Sequence, residues 1–227
     1  MNNRFEKWMP WLIVVTGITA YINGLPGPFV FDDEVTVGGV KGLIHWWPFR
    51  PGCRTLVDLT FVVNHALTGG SPSGYRAVNI LLHIVAALFL YGFVRRSLIL
   101  PRWKGLLSNP EAAALAGVTA LCWLVHPIQT ESVTYISQRY EVVMGLLCLA
   151  VMYSFVRAEQ SARPRLWINT GLAACLLGMA SKETMVMVPV VLLLYDLTFI
   201  SGDFLTLIRR RWRIHLAFLS TWGVLAA

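Results

Sequence analysis

Phe31-Asp32-Asp33-Glu34 places three carboxylates side by side, directly behind an apolar run at residues 8–23 and the turn Gly24-Leu25-Pro26-Gly27-Pro28. Glycine and proline in that turn end whatever helix precedes it. Adjacent acids repel one another, so the cluster is either a solvated turn at a helix end or a reaction centre whose charge is met by other groups. The rest of the chain has to decide between these.

Of the 227 residues, 56% are hydrophobic and only 14% charged, with a formal net charge of +7. Mean hydropathy is +0.60. This is the profile of a polytopic membrane protein, not a soluble one. The basic balance calls for no nucleic-acid partner, because basic loops on the cytoplasmic side account for it. Four cysteines give no disulfide framework, and all read as small apolar fillers.

Apolar runs fall at 8–23, 78–94, 112–125, 142–156, 166–180, 184–200 and 214–227. A spanning helix needs about 20 residues, so polar ends must complete the shorter ones. The expectation is an all-α bundle of about seven transmembrane helices forming a single module over residues 1–227, its last helix cut by the chain end. No small-residue cleavage site follows the first run, which reads as a retained helix. With the N-terminus in the cytoplasm and strict alternation, thirteen of the nineteen Lys and Arg fall inside and six outside. Asp32, Asp33, Glu34, Asp58, Glu131, Glu141 and Glu183 all fall at the outer face.

Residues 25–75 make a first outer loop far longer than the roughly 2–8 residues a helix–helix connection needs. Within it, His45-Trp46-Trp47-Pro48-Phe49 reads as an aromatic interface element. Leu56, Leu59, Val63 and Leu67 are spaced for an amphipathic surface helix. Glu111 suits the start of the third helix. Residues 128–156 read as one continuous helix, on which Glu131 and Arg139, eight apart, share a face. Its first half is too polar for lipid and is expected to line a water-filled cavity or an outer-leaflet groove. Ser181-Lys182-Glu183 reads as a tight hairpin tip, Pro189 as a kink, Asp196 as structural, and residues 209–213 as a basic inner segment.

Seven short stretches then occur in order: Phe31-Asp32-Asp33, Phe49-Arg50-Pro51, Asn79-Ile80-Leu81-Leu82-His83, His126-Pro127-Ile128-Gln129-Thr130-Glu131, Gln138-Arg139-Tyr140-Glu141, Ser181-Lys182-Glu183 and Tyr195-Asp196. As a set, this resembles the transmembrane O-mannosyltransferases that carry tetratricopeptide repeats, and their bacterial relatives. These belong to the GT-C class of polyprenyl-phosphate-sugar glycosyltransferases. Two features depart from the pattern: Gly52-Cys53-Arg54 stands where an apolar residue would follow the proline, and the chain stops within a seventh run.

The resemblance implies a lipid-linked sugar donor, a protein or glycan acceptor, and an integral membrane protein, in bacteria of the inner membrane, with the acidic loop outside. It places the catalytic acid at the start of the first outer loop, the position of Asp32 and Asp33, where a carboxylate can act as general base. Donor phosphate needs fixed cations, and Arg139, Lys182 and Arg50 are the candidates. His126, Glu131, Glu141 and Glu183 are expected to support them. Glu34 reads as solvated, and Asn79 and His83 as packing residues. An Asp pair with His126 could take a divalent metal, but the resemblance implies none. A catalytically silent membrane scaffold within a larger assembly, or a transporter component, stays open as an alternative.

Overall fold

A computed structural model describes residues 4–44, 54–103 and 105–225. Among them are ten α-helices and no strands: α1 (Arg4–Tyr21), α2 (Asp33–Ile44), α3 (Thr55–Thr68), α4 (Pro72–Leu98), α5 (Asn109–Leu124), α6 (Gln129–Thr134), α7 (Arg139–Glu159), α8 (Pro164–Met179), α9 (Val188–Tyr195) and α10 (Phe204–Ser220). The all-α expectation is met. The count of spans differs. Three segments combine the length and apolarity needed to cross a membrane: Pro72–Leu98, Ile136–Glu159 and Glu183–Ser201. The other apolar runs also become helices, but α5 and α8 have 16 residues each and α10 has 17. In α1, three of the 18 residues are Arg4, Glu6 and Lys7.

Local chemistry sets the helix ends. Gly69, at φ +64°, closes α3 in the left-handed region that glycine enters without strain, and Pro72 opens α4 where its missing N–H costs nothing. Ser108 and Glu111 form a reciprocal capping box at the start of α5, so Glu111 stands in the first turn as expected.

α4 lies at the centre. It packs on α7 and α5, α1 packs on both α4 and α5, and α7 packs on α8. Small residues allow the close approach that holds helices together where lipid supplies no hydrophobic drive. Ala112, Ala113, Ala116, Gly117 and Ala120 form the buried face of α5. A Cβ on Gly17 of α1 would come within 2.5 Å of Ile84 on α4.

Three apolar clusters result. The first joins α1, α4 and α5 through Ile13, Ile84, Ala116 and Leu124. The second joins α7 to α10 through Phe155, Met179, Leu192 and Phe218. The third caps one end of the bundle with Val37 of α2, Val57 and Phe61 of α3, Tyr75 of α4 and Ile136.

Three sequence expectations change. The long loop holds a second helix, α2, beginning at the acidic cluster; its Gly38-Gly39 pair gives no helical signal. The expected amphipathic surface helix does form as α3: its buried side is Val57, Phe61 and Asn64, while Leu59, Val63 and Leu67 face outward as an interfacial surface. Residues 128–156 are not one helix: α6 ends, Tyr135 is extended at ψ 110°, and a 3₁₀ turn, Ile136–Gln138, precedes α7. Pro189 starts α9 rather than kinking it, and the basic segment 209–213 lies within α10. The aromatic element at 45–49, Arg50 and Cys53 lie outside the described residues.

Candidate active site

The break at Tyr135 builds the site. It turns the chain so that α6, the 3₁₀ turn and the start of α2 meet. Asp33 is fully buried. Its Oδ1 accepts the Ser137 N–H (2.9 Å) and hydroxyl (3.0 Å), and its Oδ2 accepts the Val30 N–H (3.1 Å). The Ser137 hydroxyl also meets Thr36 Oγ1 at 2.9 Å. Asp33 is therefore consumed in fastening α2 to the break. Asp32, one residue earlier, is exposed; its N–H donates to the Tyr135 hydroxyl at 3.3 Å, and its carboxylate is open to solvent. Adjacent acids thus have opposite positions. Glu34 is exposed, as expected of a solvated residue.

Phe31 sits at φ +49°, a conformation that costs a bulky residue of order 1–3 kcal/mol and persists only where the surroundings hold it. Its ring is 86% exposed and meets the Tyr135 ring edge-on at 6.2 Å. Both rings border a cleft of about 720 Å³ lined also by Tyr21, Asn23, Gly27, Arg76 and Glu131. Glu131 is exposed here.

Arg76 is the residue the sequence reading missed. It is 3% exposed, yet lines this cleft. Its Nε donates to the Thr134 carbonyl at 2.9 Å, and its two terminal nitrogens donate to the carbonyls of Gly27 and Pro28. It ties the Gly-Pro turn to α6 and brings a guanidinium with no carboxylate partner among the described residues to the cleft wall. The one sequence signal was an arginine as fifth residue of a helix, just before the apolar run at 78–94.

Arg139 does not face the cleft. It is fully buried, with Nε donating to Asn79 Oδ1 (2.7 Å), Nη1 to the Thr60 carbonyl (3.3 Å), and Nη2 to Asn64 Oδ1 (2.7 Å) and the Tyr75 carbonyl (3.0 Å). Phe61 lies 4.2 Å beneath its guanidinium. The expected direct phosphate contact is in this structure an interior pillar joining α3, α4 and α7. The expected shared face with Glu131 is lost with the helix break. Asn79 packs, as expected, by holding Arg139; His83 packs by donating to the Leu124 carbonyl at 3.1 Å.

The remaining candidates form a second group beyond α6. Lys182 pairs with Glu141, Arg54 with Glu183 at 3.4 Å, and the Tyr140 hydroxyl donates to Asp58 at 2.6 Å. Glu141 also lines a hollow of about 40 Å³ with His83, Gln129 and Ser132 of α6. His126 is exposed and uses Nδ1 to accept the Ile128 N–H at 3.3 Å, shaping the turn into α6. Among the described residues no three His, Cys, Asp or Glu converge to hold a metal ion.

Comparison with known protein families matches residues 57–225 to the dolichyl-phosphate-mannose-protein mannosyltransferases. The chain belongs to this family. Among curated relatives, human Protein O-mannosyl-transferase TMTC1 is 35% identical over 221 residues, covering 84% of this chain and 24% of that protein. Human Protein O-mannosyl-transferase TMTC3 is 26% identical, covering 87% and 22%. Mouse Protein O-mannosyl-transferase TMTC2 is 30% identical, covering 79% and 23%. The chain thus spans about a quarter of the length of these relatives. No solved structure matches it. Membership of this family, with three helices able to cross a bilayer, makes the chain an integral membrane protein.

Proposed function

We propose that this chain is the membrane-embedded part of a protein O-mannosyltransferase that moves a mannosyl group from a polyprenyl-phosphate donor to a hydroxyl of a protein acceptor, with inversion, at the face bearing Asp32. Supporting this are the family match and the relatives named as O-mannosyl-transferases. The single observation that carries the site is the exposed Asp32, next to Phe31 and hydrogen-bonded through its N–H to Tyr135, the two rings that border the cleft whose wall holds the Arg76 guanidinium. In this reading α1, α4, α5, α7, α8 and the α9 segment cross the bilayer, α10 starts on the inner side with its basic residues 209–213, and the acidic face is outside.

In the reaction, the acceptor oxygen attacks the anomeric carbon while the bond from that carbon to the phosphate oxygen breaks. The electron pair leaves with the polyprenyl phosphate, and the acceptor proton passes to Asp32. Asp33 acts at one remove by fixing the turn that presents Asp32. Arg76, and Lys182 when released from Glu141, meet the phosphate. Arg139 contributes through its buried positive charge, not by contact, since preorganised charge in a water-poor site needs no reorganisation during reaction. Glu131, Glu183 and His126 shape the surroundings.

The test is transfer from polyprenyl-phosphate mannose in membranes holding the full-length protein. Asp32→Asn is expected to reduce transfer by about 10²–10⁴-fold, the usual range for a lost general base. Unchanged transfer would overturn the assignment of Asp32. A wild type that inserts stably with other subunits yet transfers nothing would favour the scaffold.

A further inference from the structure

At the end of α4 remote from the acidic cluster, a groove of about 530 Å³ opens between α1, α4 and α7. Val85, Leu88 and Phe89 of α4 form an apolar wall, and Arg95 and Arg96 lie at its end. Val85, Phe89 and Arg96 follow helical spacing along one side of α4, so apolar surface leads directly to guanidinium over roughly 16 Å.

The charges there do not balance. Arg95 is matched by Glu6 at 2.5 Å. Arg96 has no carboxylate partner among the described residues: it donates to the Gln160 side-chain oxygen at 2.8 Å and lies 5.5 Å over the Tyr153 ring. Gln160 in turn donates to the Arg96 carbonyl at 2.9 Å, which fixes the guanidinium in place. Arg157, one turn beyond Tyr153 on α7, lies over Trp167 at 5.4 Å, and its buried Nε has no hydrogen-bond partner. Arg96 therefore stands at the end of an apolar groove and Arg157 one turn beyond Tyr153 of its wall, neither with a carboxylate partner among the described residues.

We propose that this groove binds one anionic phospholipid of the leaflet opposite the acidic face, with an acyl chain along Val85, Leu88 and Phe89 and the phosphate between Arg96 and Arg157. A guanidinium matches a phosphate bidentately, and basic pockets between spanning helices attract anionic headgroups. The site is distinct from the proposed transfer site and stands whether or not transfer is found.

Native mass spectrometry of the purified full-length protein, exchanged into mixed phosphatidylglycerol and phosphatidylcholine micelles, tests it. Wild type is expected to retain one phosphatidylglycerol at least about tenfold over phosphatidylcholine, a ratio worth about 1.4 kcal/mol. Inorganic phosphate is expected not to compete, because the apolar half contributes. Arg96→Gln and Arg157→Gln are each expected to abolish the preference, and Arg209→Gln, an exposed arginine elsewhere, to leave it intact. If the arginine variants fail to fold, Leu88→Trp, which fills the groove, is expected to lose the lipid while keeping the charges. Equal retention of both lipids by wild type, competition by phosphate alone, or equal loss in Arg209→Gln would each overturn the proposal.

Discussion

Arg139 brings a guanidinium into the interior where, among the described residues, no carboxylate meets it, only amide and carbonyl oxygens and aromatic faces such as that of Phe61. Such burial is tolerated because the planar fork reaches several acceptors at once. Lysine cannot reproduce that geometry, so Arg139→Lys leaves Asn64 or Asn79 unpaired. The cost is about 1–3 kcal/mol for each buried acceptor. A lower melting temperature in detergent is expected, with an unchanged one showing that the fork is dispensable. Phe31 gives the opposite case. Its left-handed φ is strained for any side chain, so Phe31→Gly is expected to hold or raise the melting temperature while lowering transfer, through loss of the aromatic lip. A fall in both quantities would mean that the ring is structural. The distinction between Asp32 and Asp33 belongs to this scale as well. Sequence showed two equivalent acids. Only the fold reveals that one is taken up by Ser137 and Val30.

At the scale of elements, Ser137 is the joint between α2 and the break. Ser137→Ala removes its hydroxyl from both Asp33 and Thr36. Faster amide exchange over residues 33–39 is expected, with exchange in α5 unaltered; an unaltered α2 would place its anchoring elsewhere. Asp203 caps α10, accepting the Thr206 N–H at 2.8 Å, and hydrogen bonds from the Thr206 hydroxyl and N–H hold its carboxyl below the usual aspartate range. A depressed carboxyl stabilises above its unfolded pKa, and that stability is lost as pH falls through the lower folded value. Asp203→Asn, which cannot titrate, is therefore expected to flatten the acid end of the melting-temperature profile, below about pH 4. Helices, caps and the helix following Gly69-Gly70 were legible because apolar runs, Pro and Gly act locally. The break at Tyr135 was not. Its sequence continues helical patterning, and the extended residue is set by tertiary bonds, Asp33 to Ser137 among them, that no local pattern reports. Arg76 was missed for the same reason, since its partners lie 48, 49 and 58 residues away.

Across the whole molecule, the α1–α4–α5 core and the α7–α10 core meet along α4 and α7. The second core is closed by a buried ionic lock. Asp196 is fully buried and accepts from Arg211 at 2.6 Å and His215 at 2.7 Å, both on α10, while Arg211 also reaches Glu159 of α7 at 2.7 Å. A π-helical turn, Asp196–Ser201, brings the carboxylate to this point, and Ser201 adds a hydrogen bond at 2.7 Å. Apolar packing of Phe218 alone could not set the register of α10, because its other faces are exposed and include Leu205, Trp212 and Leu216. The lock supplies that register. Removing one partner of a buried pair leaves the other uncompensated, at a cost of about 3–5 kcal/mol. Asp196→Ala is accordingly expected to release α10 first, seen as rapid tryptic cleavage at Arg209 and Arg210 while α1, α4 and α5 stay protected. Uniform protection in the variant would mean that α10 is held by its apolar contacts. Uniform cleavage would mean that the two cores unfold together and that the lock governs both.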